Sequence, residues 1–395
     1  MCMFSTLITQ TAPGSVGSLF QHVRFDGPCT RADLVATTGL ARSTVNARLD
    51  ALLANGLVSA AGEGVSTGGR PPTRFVVNPR ARVVLAMDIG ATHATVGVTD
   101  LSGAILGTQT EELDVSAGPE PVLDRAIAMG QALLTDCGVS EIRVAGVGIG
   151  LPGPVEHATG KATNPPIMPG WNAFDVPAYV QRTVDAPVLV DNDVNVMAIG
   201  EHATGWATVQ HMLFVKIATG IGAGIISDGR INRGSQGTAG DLGHVQVPGA
   251  RGRPCRCGNI GCLEAIASGP AIVQQLSEAG MAISTPRQLL DRVRAGDLRA
   301  IDAVRQAGRE IGAVLASCVS LLNPSAIVVG GFMVGAGPQL IAGIREIVYQ
   351  RALPIAANNL TIATSAAGRF AGVRGAAFMV IDSALSADSV NELIV

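Results

Sequence analysis

The run Arg82-Val-Val-Leu-Ala-Met-Asp88-Ile-Gly90-Ala91-Thr92 sends an apolar strand into a glycine turn, and Val96, Val98 and Asp100 read as the return strand. From Val83 onward apolar strands alternate with helices, the signature of an α/β architecture. A carboxylate, a bare backbone and a hydroxyl at one turn suit a phosphate with its magnesium, although an ordinary hairpin explains this run equally well when taken alone. A second copy changes the weight. Phe214-Val-Lys-Ile-Ala-Thr219-Gly220-Ile221-Gly222-Ala223-Gly224 again drives a strand into a glycine-rich turn beside a threonine and returns through Ile225 and Ile226. Two such hairpins about 130 residues apart predict a duplicated fold whose halves clamp a nucleotide in the cleft between them.

The polar residues fit such a cleft. Val188-Leu-Val-Asp191-Asn192-Asp193-Val194-Asn195 ends an apolar strand in carboxylates and carboxamides just before a helix, and ligands of α/β folds sit at strand ends. An aspartate there has the chemistry of a general base, and Asn192 offers the donor and acceptor that a sugar hydroxyl requires. The same residues also read as a capped helix start, with Asp191 or Asp193 satisfying backbone N–H groups. Trp171 either stacks on a sugar or fills a seam. Ile327-Val-Val-Gly330-Gly331 ends a strand in two glycines, which suits close approach of an adenine or ribose and equally an ordinary strand–helix turn.

Cys255-Arg-Cys257-Gly258-Asn-Ile-Gly261-Cys262-Leu-Glu264, with His244 eleven residues upstream, supplies three thiolates and an imidazole, a complete tetrahedral zinc shell. Four protein ligands leave no position for a catalytic water, so the metal is expected to be structural; buried free cysteines are the alternative. Gly240-Asp241-Leu242-Gly243-His244 ties a carboxylate to one ligand, and Glu264 follows the last cysteine by two residues. Zinc thereby positions two acidic side chains as support for a polyol site.

The first 80 residues have another character. Residues 14–27 read as a helix, Thr30-Arg-Ala-Asp33 approximates a capping box for a second, Thr38-Gly39-Leu40 turns the chain, and a third runs from about Ala41 to Asn55. Its apolar stripe of Val45, Leu49, Leu52 and Leu53 leaves Arg42, Ser43, Thr44, Asn46 and Arg48 on or beside the opposite face, with side chains suited to phosphates and base edges. Ser59 to Val77 reads as a hairpin carrying Gly68-Gly69-Arg70 near its tip, where an arginine can enter a minor groove. Eight arginines from Arg24 to Arg82 face four acidic residues, a local positive charge in a chain of net charge −3. A helical interaction module with a solvated face is the bland alternative.

At 395 residues and 47% apolar content the chain fills several cores, and its apolar stretches are too short to span a membrane. The odd count of seven cysteines, four of them scattered, and the lack of a leader pattern lead us to expect a cytoplasmic protein.

Together these residues resemble the ROK family of bacterial repressors and sugar kinases, with an actin-like ATPase fold. The resemblance implies an N-terminal winged helix-turn-helix over residues 1–80 and a kinase-like portion over 81–395. Its two lobes would be roughly 81–193 plus the C-terminal helix, and 194–375 with the zinc loop. It implies structural zinc on His244, Cys255, Cys257 and Cys262, and sugar contacts from Asn192, Asp193, Asp241, His244 and Glu264. Asp193 would be the catalytic base in a kinase, and Asp88, Gly90, Thr92, Thr219, Gly220, Gly330 and Gly331 the nucleotide site. Departures are visible: Ala91 replaces a glycine of the first phosphate turn, Ala218 precedes Thr219, and Asp241 stands where glutamate is usual. The expectation is a homodimeric or homotetrameric repressor of carbohydrate genes, binding double-stranded operator DNA through Arg42, Ser43, Thr44, Asn46, Arg48 and Arg70. It would answer to a sugar or sugar-phosphate effector. The alternative is an ATP-dependent sugar kinase using Mg-ATP, glucokinase-like or N-acetylhexosamine kinase-like.

Overall fold

Residues 14–63, 72–140 and 143–394 are described in this computed structural model. Helix α1 (Val16–Phe25), capped by Ser15, buries Leu19, Phe20 and Val23. Strand β1 (Cys29–Thr30) leads into α2 (Arg31–Thr38), where Thr30 and Asp33 make the reciprocal cap expected of the capping box, and Gly39 ends the helix at φ 68°. Helix α3 (Arg42–Ala54) turns Val45, Leu49 and Leu52 inward. β2 (Val58–Glu63) and β3 (Thr73–Val77) then form an antiparallel sheet in the order β1-β3-β2. The intervening Gly68, Gly69 and Arg70 lie outside the described residues.

Two five-stranded sheets follow, and they repeat one topology. In the first, β4 (Val83–Ile89), β5 (His93–Asp100) and β6 (Ile105–Glu112) run antiparallel. Helix α4 (Pro119–Asp136) crosses to β7 (Val144–Leu151), which lies parallel to β4. A small hairpin of β8 (Val155–Glu156) and β9 (Lys161–Ala162), and helix α5 (Val176–Val180), precede β10 (Val188–Asn192), parallel to β7. Helix α6 (Asp193–Gly205) passes to the second sheet, where β11 (Met212–Ile217), β12 (Ile221–Ser227) and β13 (Arg230–Asn232) are again antiparallel. After α7 (Glu264–Ala267), α8 (Gly269–Glu278), α9 (Pro286–Arg294) and α10 (Leu298–Leu322), β14 (Ala326–Gly330) returns parallel to β11. Helices α11 (Pro338–Arg351) and α12 (Pro354–Ala357) precede β15 (Thr361–Thr364), and α13 (Ala371–Ala384) with α14 (Ala387–Ile394) close the described chain. The orders β10-β7-β4-β5-β6 and β13-β12-β11-β14-β15 are the same: an antiparallel triplet extended from its first strand by two parallel ones. The duplication expected from two glycine hairpins is therefore realised strand for strand.

Helices α6 and α13 join the halves. Val194 and Ala198 of α6 pack on Phe214 and Ile226 of the second sheet, while Val196 joins Val84, Ala86 and Val373 on the side of the first. The two helices touch backbone to backbone: a Cβ on Gly200 would lie 2.0 Å from the Ala371 carbonyl oxygen, and one on Gly375 1.6 Å from that of Val196. Only glycine permits this approach.

The N-terminal helices are seated on the chain's other end. Leu19, Phe20, Leu49 and Leu52 share one apolar cluster with Met379, Val380, Leu385 and Val390. The Gly17 amide donates to Asn391 Oδ1 at 2.7 Å, Gln21 donates to the Leu385 carbonyl at 2.8 Å, and Arg24 pairs with Asp382 at 2.5 Å. No single helix among the described residues is long and apolar enough to cross a membrane.

Candidate functional site

A cleft of about 390 Å³ opens where the turns of the two sheets face each other. Gly90, Ala91, Thr92, His93, Pro152–Pro154, Asn192 and Asp193 line it from the first half; Lys216, Thr219–Ala223, Asp241, His244, Arg256 and Glu264 line it from the second. The size suits a small ligand rather than a macromolecule.

The end of β10 forms its floor. Asn192 is the N-cap of α6: its Oδ1 accepts from the amides of Val194 and Asn195, and its Nδ2 donates to the Gly153 carbonyl at 2.8 Å. The capped helix start read from the sequence is thus present, with Asn192 rather than either aspartate as the cap, and its side chain still lines the cleft. Asp191 is buried elsewhere, accepting from the Asn192 amide, from Asn195 at 3.0 Å and from Arg233 Nε at 2.6 Å. Asp193, the first residue of α6, is buried to 3% exposure, and Lys216 Nζ of β11 donates to its Oδ2 at 2.5 Å. Removal from water works against the Lys216 ammonium, but the bonded Asp193 carboxylate and the charge of Asp88 outweigh it and hold its pKa above the ordinary value. Asp191 and Asp193 are therefore each gripped by a cation from the second half.

Asp88 is the penultimate residue of β4, beside the first turn. A Cβ on Gly372 would lie 2.0 Å from its Oδ2, so the carboxyl is pressed against the start of α13. Burial pushes its pKa up to about 6, countered by Lys216 and reinforced by Asp193. The second turn is held by Glu264, whose Oε2 accepts from the Ile221 amide at 3.1 Å; a Cβ on Gly220 would lie 2.6 Å from that oxygen. Glu264 thus shapes the turn as well as lining the cleft.

His244, Cys255, Cys257 and Cys262 present four ligand atoms within 4.8 Å of one another. A tetrahedral zinc with Zn–S of about 2.3 Å and Zn–N of about 2.0 Å requires S···S of about 3.8 Å and N···S of about 3.5 Å. Cys257 Sγ and Cys262 Sγ lie 3.8 Å apart, and Cys255 Sγ lies 3.6 Å from His244 Nδ1. The four groups fit such an ion. Gly258 and Gly261, at φ 91° and 90°, supply the reversals that bring the three thiols together. His244 Nε2 faces Asp241 Oδ1 at 3.8 Å, so the two ring nitrogens address the metal cluster and the cleft separately.

Other residues singled out in the sequence lie elsewhere. Gly330 and Gly331 do not line this cleft; a Cβ on Gly330 would meet the Phe214 ring at 2.5 Å and one on Gly331 the Ile217 carbonyl at 2.5 Å, so packing against β11 requires glycine at both. Trp171 is fully buried, its Nε1 donating to the Val115 carbonyl, which assigns it to the core and not to a sugar face. On α3, Arg42 and Ser43 are exposed, but Asn46 accepts from Arg31, and Arg48 Nη1 is buried beside Gly14 with no hydrogen-bond partner among the described residues. Arg70 falls outside the described residues. Conversely, Lys216 and Arg233 were not anticipated as site residues, although Lys216 is one of only two lysines in the chain.

Residues 84–383 match the ROK family. The xylose repressor of Bacillus spizizenii is 30% identical over 365 residues, covering 92% of this chain and 94% of that protein. Among solved structures, a ROK family transcriptional regulator, a homologue of the Escherichia coli MLC protein, superposes with a TM-score of 0.81 at 26% identity, covering 96% of this chain and 98% of that one. A ROK family glucokinase from Streptomyces griseus, in complex with glucose and AMPPNP, superposes with a TM-score of 0.66 at 29% identity over 75% of this chain and 98% of its own.

Proposed function

The chain belongs to the ROK family, and from that premise we propose that it is a sugar-responsive transcriptional repressor whose operator affinity changes when a sugar enters the cleft. The observation that carries this reading is the continuous packing from cleft to N-terminus. Asp193 is the first residue of α6, α6 is locked to α13 through Gly200 and Gly375, and α13 with α14 carries α1. A change in the separation of the halves thereby reaches the N-terminal helices through rigid elements.

In this reading residues 1–80 are a winged helix-turn-helix and 81–395 the sensing portion, with lobes over roughly 81–193 plus the C-terminal helix and over 194–375. Helix α3 enters the major groove with Arg42, Ser43 and Thr44 foremost, and Arg70 addresses the minor groove. Because the N-cap of α3 is Ala41, whose side chain cannot cap it, the first amides of the helix are available to a DNA phosphate. A homodimer presents two such helices to one pseudo-palindrome, and half-site spacing makes the pair sensitive to lobe rotation. Zinc on His244, Cys255, Cys257 and Cys262 supplies structural cross-linking. The residues it ties down are Asp241 and Glu264, which with Asp193 and the Nε2 edge of His244 contact the sugar. This assembly works in the cytoplasm and needs no membrane.

The test is retention of genomic fragments, including the chain's own upstream region, with and without a sugar panel. Wild-type protein should hold one fragment, Arg42→Ala should weaken it about tenfold or more, and one sugar should shift the affinity. Failure to retain any fragment at low salt would sink the proposal. The likeness to a glucokinase favours a second reading, an ATP-dependent sugar kinase with Asp193 as general base. Sugar-dependent ADP release that disappears in Asp193→Asn would establish it.

A further inference from the structure

We propose that Lys216 is the internal cation of the cleft, gripping Asp193 across the two halves of the fold and fixing the ligand as an uncharged polyol taken up without a nucleotide. The inference rests on the sugar-sensing reading above and names its ligand class. Its basis is the fit of Mg-ATP, which the residues present do not accommodate. A magnesium ion requires hard carboxylate oxygens at about 2.0–2.1 Å in octahedral array. The Lys216 ammonium already stands 2.5 Å from Asp193 Oδ2, within the influence of Asp88. A triphosphate would also have to approach a first turn bearing the Ala91 methyl, between two halves whose facing carboxylates include Asp193, Asp241 and Glu264 against Lys216 and the exposed Arg256. That balance offers a polyanion no positive field.

A neutral sugar meets the opposite situation. Lys216 has N–H groups beyond the one given to Asp193, and Asp193 retains acceptor capacity, so the pair presents a donor and an acceptor side by side. One hydroxyl satisfies both by accepting from the ammonium and donating to the carboxylate. Lys216 thereby becomes a specificity-determining residue, and its place on β11 makes sugar contact with Asp193 report on the distance between the halves.

The test is calorimetric titration of the full-length, zinc-loaded protein. D-xylose, D-glucose, N-acetyl-D-glucosamine and D-glucose 6-phosphate are each titrated with and without Mg-AMPPNP, and Mg-AMPPNP is titrated alone. One neutral sugar should bind with an affinity that Mg-AMPPNP leaves unchanged, the phosphorylated sugar should bind about tenfold or more weakly, and the nucleotide alone should give no saturable signal. Lys216→Met should lower the sugar affinity about tenfold, and Lys216→Met with Asp193→Asn should lose less than the two single losses combined. Saturable nucleotide binding to the wild type, sugar binding only in its presence, or unchanged sugar affinity in Lys216→Met would each overturn the role of Lys216 while leaving sugar sensing intact. Absence of sugar binding under every condition would overturn the sensing reading and this proposal with it. If Lys216→Met does not fold, the wild-type nucleotide titrations decide alone.

Discussion

Asp88→Asn should stabilise the protein at neutral pH and leave it unchanged near pH 4. The Asp88 carboxyl is pressed between Gly372 and the cleft, and burial raises its pKa from 3.8 to about 6. A rise of that size corresponds to about 3 kcal/mol, an upper bound because the residue is only half-buried. The helix start at Ala371 favours the charged form by about 0.3–1 kcal/mol, too little to cancel the burial cost. The sign follows from proton counting. Well below pH 3.8 the carboxyl is neutral in both folded and unfolded chains, and its neutral form costs nothing. Between pH 4 and 6 the folded chain keeps the proton that the unfolded chain releases, so stability falls by about 1.4 kcal/mol per pH unit, and above pH 6 the loss is complete. Asparagine has nearly the same shape and no charge to desolvate. Denaturant unfolding of both proteins at intervals from pH 4.5 to 8 should therefore show a difference that grows with pH in favour of the variant. A difference independent of pH, or one that turns against the variant as pH rises, would refute the argument from burial.

Removing the metal with a strong chelator should release about one zinc per chain, lower thermal stability and weaken sugar binding, since Asp241 and Glu264 flank the cluster; unchanged behaviour in metal-free protein would contradict its structural role. Gly200→Ala gains about 1 kcal/mol of helix propensity but drives a Cβ to 2.0 Å from the Ala371 oxygen. Overpacking of that kind costs about 3 kcal/mol, so a net loss of about 2 kcal/mol is expected in chemical denaturation, and a variant as stable as the wild type would deny the close α6–α13 contact.

The two sheets were legible in the sequence because each rests on an apolar strand, a glycine turn and a return strand, a pattern that local sterics dictate. The thiol cluster was legible for a similar reason, three cysteines within eight residues having few other uses. The first capping box was equally local. What escaped were partners distant in the chain. Lys216 sits inside an apolar run that reads as a buried strand, and nothing near it announces Asp193, 23 residues earlier and in the other half of the fold. Helical periodicity puts Asn46 and Arg48 on or beside the outer face of α3, yet periodicity identifies a face and not its neighbours: Arg31 reaches over from α2 to occupy Asn46. Gly330 and Gly331 carry a ligand-binding reading because glycine at a strand end has two causes, and the packing one, against the Phe214 ring and the Ile217 carbonyl, is not visible in the sequence.

The placement of the cations has a thermodynamic consequence for sensing. Arg233 and Lys216, both from the second half, hold Asp191 and Asp193 at one strand end of the first, so the two halves are bridged at two adjacent points. A sugar cannot shift the arrangement merely by binding; it must bind the two separations of the halves unequally, and each tenfold inequality is worth about 1.4 kcal/mol. The Arg233 tie is buried on the carboxylate side and makes no use of the cleft, so both separations must either keep it or break it at a cost of several kcal/mol. The Lys216 tie faces the cleft, where hydroxyls of the proposed sugar would replace part of its hydrogen bonding as the halves move. In the proposed sensing, Asp191 with Arg233 would serve as the pivot and Asp193 with Lys216 as the adjustable contact. Substitutions at Arg233 should lower stability whether or not sugar is present, whereas substitutions at Lys216 should act chiefly on the response to sugar.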